Sequence, residues 1–217
     1  MKDFMKINVG LTEDVPRMPK EMVTIVQSHM VWPCSDILGY RVNENNEEGK
    51  VELLLVERKE PPVKGVLWFP GGRRLKNVGL EDFVARKLYE ECGIDIGEGD
   101  GIIIRQLPTR DASFSSDLPN VPGENYSLVE NGFHAVSTNY VVEISSRARI
   151  SLDKTSSRYQ WLDIPSLLEY GRDIGGFHPY FAEVVNDGAE EIGLSPKLTI
   201  KDVNTEKYGN PLDNFDR

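Results

Sequence analysis

The chain has 217 residues and a formal net charge of −10, with 39% hydrophobic and 28% charged residues, a balance that suits a globular fold. That length buries a core without disulfide or metal staples and fits one domain with extensions. The acidic surface argues against a broad nucleic-acid platform or an anionic membrane partner, but not against a small phosphate ligand held by a local arginine cluster.

Residues 1–18 carry mixed charge and little periodicity and read as an N-terminal arm. The opening MKDFMKINVG lacks a charged start followed by an apolar stretch, and no apolar run approaches the roughly 20 residues that span a bilayer. The two cysteines, Cys34 and Cys92, have neither CxxC nor zinc spacing. A soluble, cytoplasmic protein with reduced thiols is expected. From Pro19, the spacing of Met22, Val23, Ile25 and Val26 predicts a helix. Residues 35–42 and 51–58 read as strands joined by the polar run 44–50, a hairpin pattern. A loop at 61–65 and the stretch VLWFPGG (66–72) lead into a tight turn. LEDFVARKLYEEC (80–92) is the clearest helix, with Phe83, Val84 and Leu88 on one side and Gly93 in position to end it.

A strand is predicted at 102–107. Residues 108–133, rich in Ser, Asn, Pro and Gly, read as a functional loop or an insertion. Strands follow at 134–144 and 158–164, then helices at 164–171 and 179–185. The expected organisation is an arm (1–18), one domain (19–185) and a polar tail (186–217). Irregular alternation of strands and helices favours a mixed sheet with helices packed on it.

The chemistry concentrates in WFPGGRRLKNVGLEDFVARKLYEECGI. A Gly71–Gly72 turn precedes an amphipathic helix that ends in Arg86, Glu90 and Glu91. Arg86 and Glu90 are four residues apart, so an ion pair is geometrically easy. Adjacent carboxylates at the negative end of a helix are poorly placed unless something positive relieves them. A hard divalent cation does this with carboxylate and carbonyl ligands, and the side-chain-free turn would let its carbonyls approach the same ion. A solvated, ion-paired helix face is the plainer alternative.

The segment resembles the Nudix box, G-x5-E-x7-R-E-U-x-E-E-x-G-U with U apolar. Gly72, Arg86, Leu88, Glu90, Glu91, Gly93 and Ile94 match in register, while Val78 and Lys87 stand where glutamates are expected. Beyond the box the chain is similar to the GDP-mannose mannosyl hydrolases. KEMVTIVQS (20–28), SDIL (35–38), LLLVER (53–58), the spacing from Arg58 to Arg73, STNYVVEI (137–144) and YQWL (159–162) carry that likeness over roughly residues 19–183.

The resemblance implies an α/β (α+β) Nudix fold, a mixed curved β-sheet sandwiched between α-helices. It implies a magnesium-dependent, metal-binding hydrolase, with Mn²⁺ as an alternative ion. The substrate would be a nucleotide sugar such as GDP-mannose, and the enzyme a homodimer. The Gly71 carbonyl and Glu91 would hold the metal, with Glu90 as a further ligand. Arg58 and Arg73 would face the diphosphate and, with Glu91, carry catalysis. Tyr140 would bind the phosphate beside the sugar, and Asp36 would lie near the sugar.

The subfamily's general-base histidine and its preceding glutamine fall here on Ser156 and Thr155, neither a base at neutral pH. Asp153 or His134 are the alternatives for that role. Lys87 either pairs with Glu91 and takes over the metal's charge or projects toward solvent or a phosphate. Tyr140 and Trp68 read equally as core aromatics. Two rival functions remain at this level: a weakened module that binds a nucleotide sugar or a protein, and a pyrophosphohydrolase with attack at phosphorus.

Overall fold

The computed structural model describes residues 18–19, 22–23, 26, 29–43, 50–60, 62–114, 133–195 and 197–205. Most of the expected arm, most of the 44–50 connection, residues 115–132 and the chain beyond 205 lie outside the described residues. Met22, Val23, Val26 and His29 are helical, and the Val23 N–H bonds the Pro19 carbonyl, as expected of a helix beginning near Pro19.

Seven strands form one mixed sheet: β1 (Trp32–Asn43), β2 (Lys50–Arg58), β3 (Leu67–Trp68), β4 (Gly71–Arg73), β5 (Gly101–Phe114), β6 (Phe133–Ile144) and β7 (Ser156–Leu162). The main order is β3-β2-β1-β6-β5, with β4 also on β1 and β7 also on β2. Only the β1–β6 pair is parallel among these pairings. Helix α1 (Leu80–Cys92) covers one face; α2 (Ile164–Asp173) and α3 (Pro179–Glu191) belong to the other.

Strand alternation divides the core. Ile37, Leu54 and Val56 pack with Val84, Leu88 and Cys92 of α1, whereas Leu38, Tyr40, Leu53 and Leu55 join the aromatics around α3. Side chains two residues apart share a sheet face, so neighbours on β1 and β2 serve opposite layers. On α1, Val84, Leu88 and Cys92 recur every fourth residue and form the buried stripe. Glu81 and Asp82 put negative charge in its first turn, where the helix dipole favours it.

The end of α1 is closed by backbone. Gly93 sits at φ 70°, a left-handed conformation that favours glycine. Its N–H bonds the Tyr89 carbonyl, and the Ile94 N–H bonds the Leu88 carbonyl. The Ser151 and Asp153 N–H groups bond the carbonyls of Cys92 and Glu91, which the helix itself leaves unsatisfied. The acidic end of α1 is thereby held against the loop before β7.

Three elements differ from expectation. β5 runs to Phe114 instead of ending at 107; much of it is exposed, so its sequence never needed a strong apolar alternation. α3 continues past 185 to Glu191, because Gly188 lets the helix lie on Leu38, whose side chain a Cβ would overlap. The chain after α3 folds back: Asn186 bonds both the N–H and carbonyl of Leu198, and Phe177 bridges Val203. Among the described residues, no helix is long and apolar enough to cross a membrane.

Candidate active site

β4 lies antiparallel on β1, pairing Gly71 with Asp36 and Gly72 with Ser35. Gly71 has φ 151°, and a Cβ there would run into the Ser35 carbonyl and Asp36. Only glycine permits this close approach. The last turn of α1 lands on that turn, and the Gly71 N–H donates to Glu91 Oε2 at 3.0 Å. The other carboxylate oxygen, Oε1, accepts from Lys87 Nζ at 2.7 Å, with side-chain exposures of 18% for Lys87 and 12% for Glu91. Arg86 Nε likewise meets Glu90 Oε1 at 2.7 Å. Each of the two adjacent carboxylates thus has a cation one turn back, which offsets their position at the negative end of the helix.

Two arginines complete the cationic side. Arg58 ends β2, and Arg73 ends β4 with its guanidinium 4.9 Å from the Trp32 ring centroid. Their charges bear on the buried thiol of Cys34. Burial, then the charge of Asp36, push it up to about 12, while Arg73, Arg58 and Lys87 all pull it down. Arg73 stands opposite Cys34 in the β1–β4 register, and Lys87 Nζ lies 4.0 Å from where a Cβ on Gly72 would stand.

Asp36 stands behind that turn. Burial lifts its carboxyl to about 6, opposed by the Tyr180 hydroxyl and Arg58 and reinforced by Glu91. Tyr180 donates to Asp36 Oδ2 at 2.6 Å. The same hydroxyl lies 2.8 Å from Asn139 Oδ1, which also receives the Ser137 hydroxyl at 2.9 Å, while Asn139 Nδ2 is buried without a partner. One hydroxyl has one proton, and the carboxylate claims it. Turning the Asn139 amide over lets its NH₂ donate to the Tyr180 and Ser137 hydroxyl oxygens. The result is a closed buried chain, Asp36–Tyr180–Asn139–Ser137.

No family model matches the sequence. Solved structures match its fold. One from Jonesia denitrificans, described as a possible asymmetric diadenosine tetraphosphate hydrolase, is 18% identical and covers 79% of this chain and 100% of its own, with a TM-score of 0.50. A MutT/Nudix family protein from Enterococcus faecalis is 20% identical over 70% of this chain, TM-score 0.44, and this chain spans 47% of that one. The Nudix domain of NrtR from Shewanella oneidensis, solved with ADP ribose, is 16% identical over 70% of this chain and 88% of its own, TM-score 0.45.

The chain has the Nudix fold. At these identities the fold is what is shared.

Within this Nudix fold, Asp36, Arg58, Gly71, Arg73 and Glu91 come into one neighbourhood, with Lys87 added. Tyr140 stands opposite Ile37 on β1, one strand over from Asp36. It is buried in the α1-side core, its hydroxyl 3.2 Å from Gln106 Oε1, and the charges acting on it are Glu81 and Arg74, near the opposite end of α1 from Glu91. Trp68 packs among Phe69, Phe114, Tyr180 and Phe181. Ser156 is buried and paired by backbone register with Arg58. Asp153 closes its own loop, Oδ1 accepting from the Thr155 N–H at 2.9 Å and its hydroxyl at 2.6 Å. His134 is an exposed partner of Asp111 at 3.1 Å.

Nudix hydrolases in general use a divalent cation such as Mg²⁺. The residues present do not fit one as arranged. Both Glu91 oxygens are engaged, one by an ammonium, and Glu90 is engaged by Arg86. Among the described residues, no group of three or more His, Cys, Asp or Glu side chains is placed to hold a metal. A hard cation needs several oxygen ligands, and it would have to displace a positive charge to reach Glu91. Of the two readings of Lys87, the structure takes the pairing with Glu91.

Proposed function

We propose that this chain hydrolyses a nucleoside diphosphate joined to a second group, bound between β4 and the last turn of α1. The placement of Arg73 at the end of β4 and of Lys87 Nζ beside Gly72 is the observation that carries this reading. A diphosphate leaving group gains negative charge as its bond to the second group breaks. Fixed cations aimed at it stabilise that charge without reorganising. Arg58 and Arg73 hold the diphosphate, and Glu91 fixes both Lys87 and the Gly71 turn. Asp36 backs the turn from the α3 side, and Tyr140 marks a separate contact. The resemblance in sequence favours a sugar, with GDP-mannose as the first substrate to try, and a homodimer as the working form.

A second reading is a Nudix-fold module that binds such a ligand without turning it over. The buried Ser156, standing where a base is expected, favours it. A panel of nucleoside diphosphate sugars, with products identified, separates the readings. Free sugar plus nucleoside diphosphate means attack at carbon and supports the proposal in its finer form. Two monophosphates mean attack at phosphorus. Binding without products selects the second reading, and no binding of any member contradicts both.

A further inference from the structure

We propose that the Lys87 ammonium takes the place of a divalent cation in this cleft, so that the site binds a diphosphate without metal. The inference rests on the placement of the diphosphate just proposed.

The ammonium lies between two groups, the acidic end of α1 and the glycine turn. It is 2.7 Å from Glu91 Oε1, while Glu91 Oε2 is bound to the Gly71 N–H. A Cβ added at Gly72 would meet one atom within 4 Å, and that atom is Lys87 Nζ, at 4.0 Å. The lysine therefore spans the gap from helix to turn. Its side chain is 18% exposed, so the cation is held firmly with one side still open. An ammonium carries three N–H donors, and Glu91 is its one hydrogen-bond partner among the described residues. The remaining donors are available to phosphate oxygens, in the manner of a phosphate-binding lysine.

Charge makes the same case. Lys87 with Glu91, and Arg86 with Glu90, are each neutral as pairs. A divalent ion added here would sit against Lys87 and gain little from carboxylates already compensated. A tethered ammonium can bind and orient phosphate, but it cannot lower the pKa of a bound water as a metal does. The site is thus equipped to stabilise a leaving diphosphate and lacks the metal route to hydroxide.

The test uses the full chain with two probes: Mn²⁺ alone, followed by electron paramagnetic resonance, and ADP, followed by calorimetry. The wild-type protein is expected to leave free Mn²⁺ unchanged and to bind ADP equally in Mg²⁺ and in chelator. Lys87→Met should weaken ADP binding about tenfold, the loss of a charge-assisted contact, without gaining Mn²⁺. Lys87→Glu restores a carboxylate beside Glu91. It should take up one equivalent of Mn²⁺ and melt at a higher temperature with Mn²⁺ than without.

Stoichiometric Mn²⁺ binding by the wild type that Glu91→Gln abolishes would overturn the inference, as would ADP binding that requires Mg²⁺. Should Lys87→Glu fail to fold, the Lys87→Met result and the wild-type metal titration decide. If ADP fails to bind under either condition while Lys87→Glu still acquires Mn²⁺, the lysine's role stands and the proposed ligand falls.

Discussion

The two faces of the sheet each bury a carboxylate, and they treat it differently. On the α1 side Glu91 meets an ammonium and a backbone N–H. On the α3 side Asp36 meets a tyrosine hydroxyl backed by an amide, and burial pushes its carboxyl up to about 6. The Tyr180 hydroxyl and the more distant Arg58 only partly offset the desolvation of Asp36. The first arrangement stays partly open and has donors left for a ligand. The second is closed on itself and reads as architecture behind the cleft.

Core truncations probe this contrast most strongly. Phe181 stacks on both Phe69 and Phe177, so Phe181→Ala should cost about 4 kcal/mol, and Leu88→Ala under α1 about 3 kcal/mol, in urea denaturation. Equal, small losses would mean that neither face forms the packed layer described.

The next effect is in pH. Asp36 binds its proton more tightly folded, at about 6, than at its ordinary 3.8, so its contribution to stability rises as pH falls through that window. His178 is the reverse. It caps α3 through Nδ1 and donates from Nε2 to the Ser113 carbonyl, and burial lowers it from 6.5 to about 4. The unfolded chain takes up that proton first, so stability is lost as pH falls from 6.5 to 4. Each term is about 3 kcal/mol and they oppose. Asp36→Asn should unmask a fall in stability on acidification, and His178→Asn a rise. Parallel profiles for the two variants would refute the assignment.

Smaller still, Tyr180→Phe leaves Asp36 without its donor and should cost about 2 kcal/mol above pH 6. Arg73→Ala should cost at most about 1 kcal/mol of stability, the worth of its exposed contact with Trp32. It should nevertheless weaken ADP binding about tenfold. A stability loss without a binding loss would make Arg73 a structural residue.

The sequence showed these regions unequally. Helix α1 and its Gly93 terminus were legible residue for residue, because amphipathic spacing and a left-handed glycine are both local signals. The resemblance to the box joined the Gly71 carbonyl to Glu91 through a metal ion, whereas the structure joins the Gly71 N–H to Glu91 directly. The partner of Lys87 could not be read in advance, since a side chain four residues before Glu91 has both a paired and a solvent rotamer, and packing chooses. The Asp36–Tyr180 bond joins residues 144 positions apart, and its one trace in the sequence is polar residues in otherwise apolar strands. The outer half of β5 was missed because an exposed strand carrying Pro108 looks like a loop. The second half of α3 was missed because its seat on Leu38 depends on Gly188, which reads as a helix breaker.

A crystal structure of the full chain grown with ADP and Mg²⁺ tests the central claim most directly. The account predicts the diphosphate within hydrogen-bond distance of Lys87 Nζ, Arg58 and Arg73, with Lys87 still on Glu91. A magnesium ion on Glu91 and Gly71, with Lys87 swung away, would contradict it.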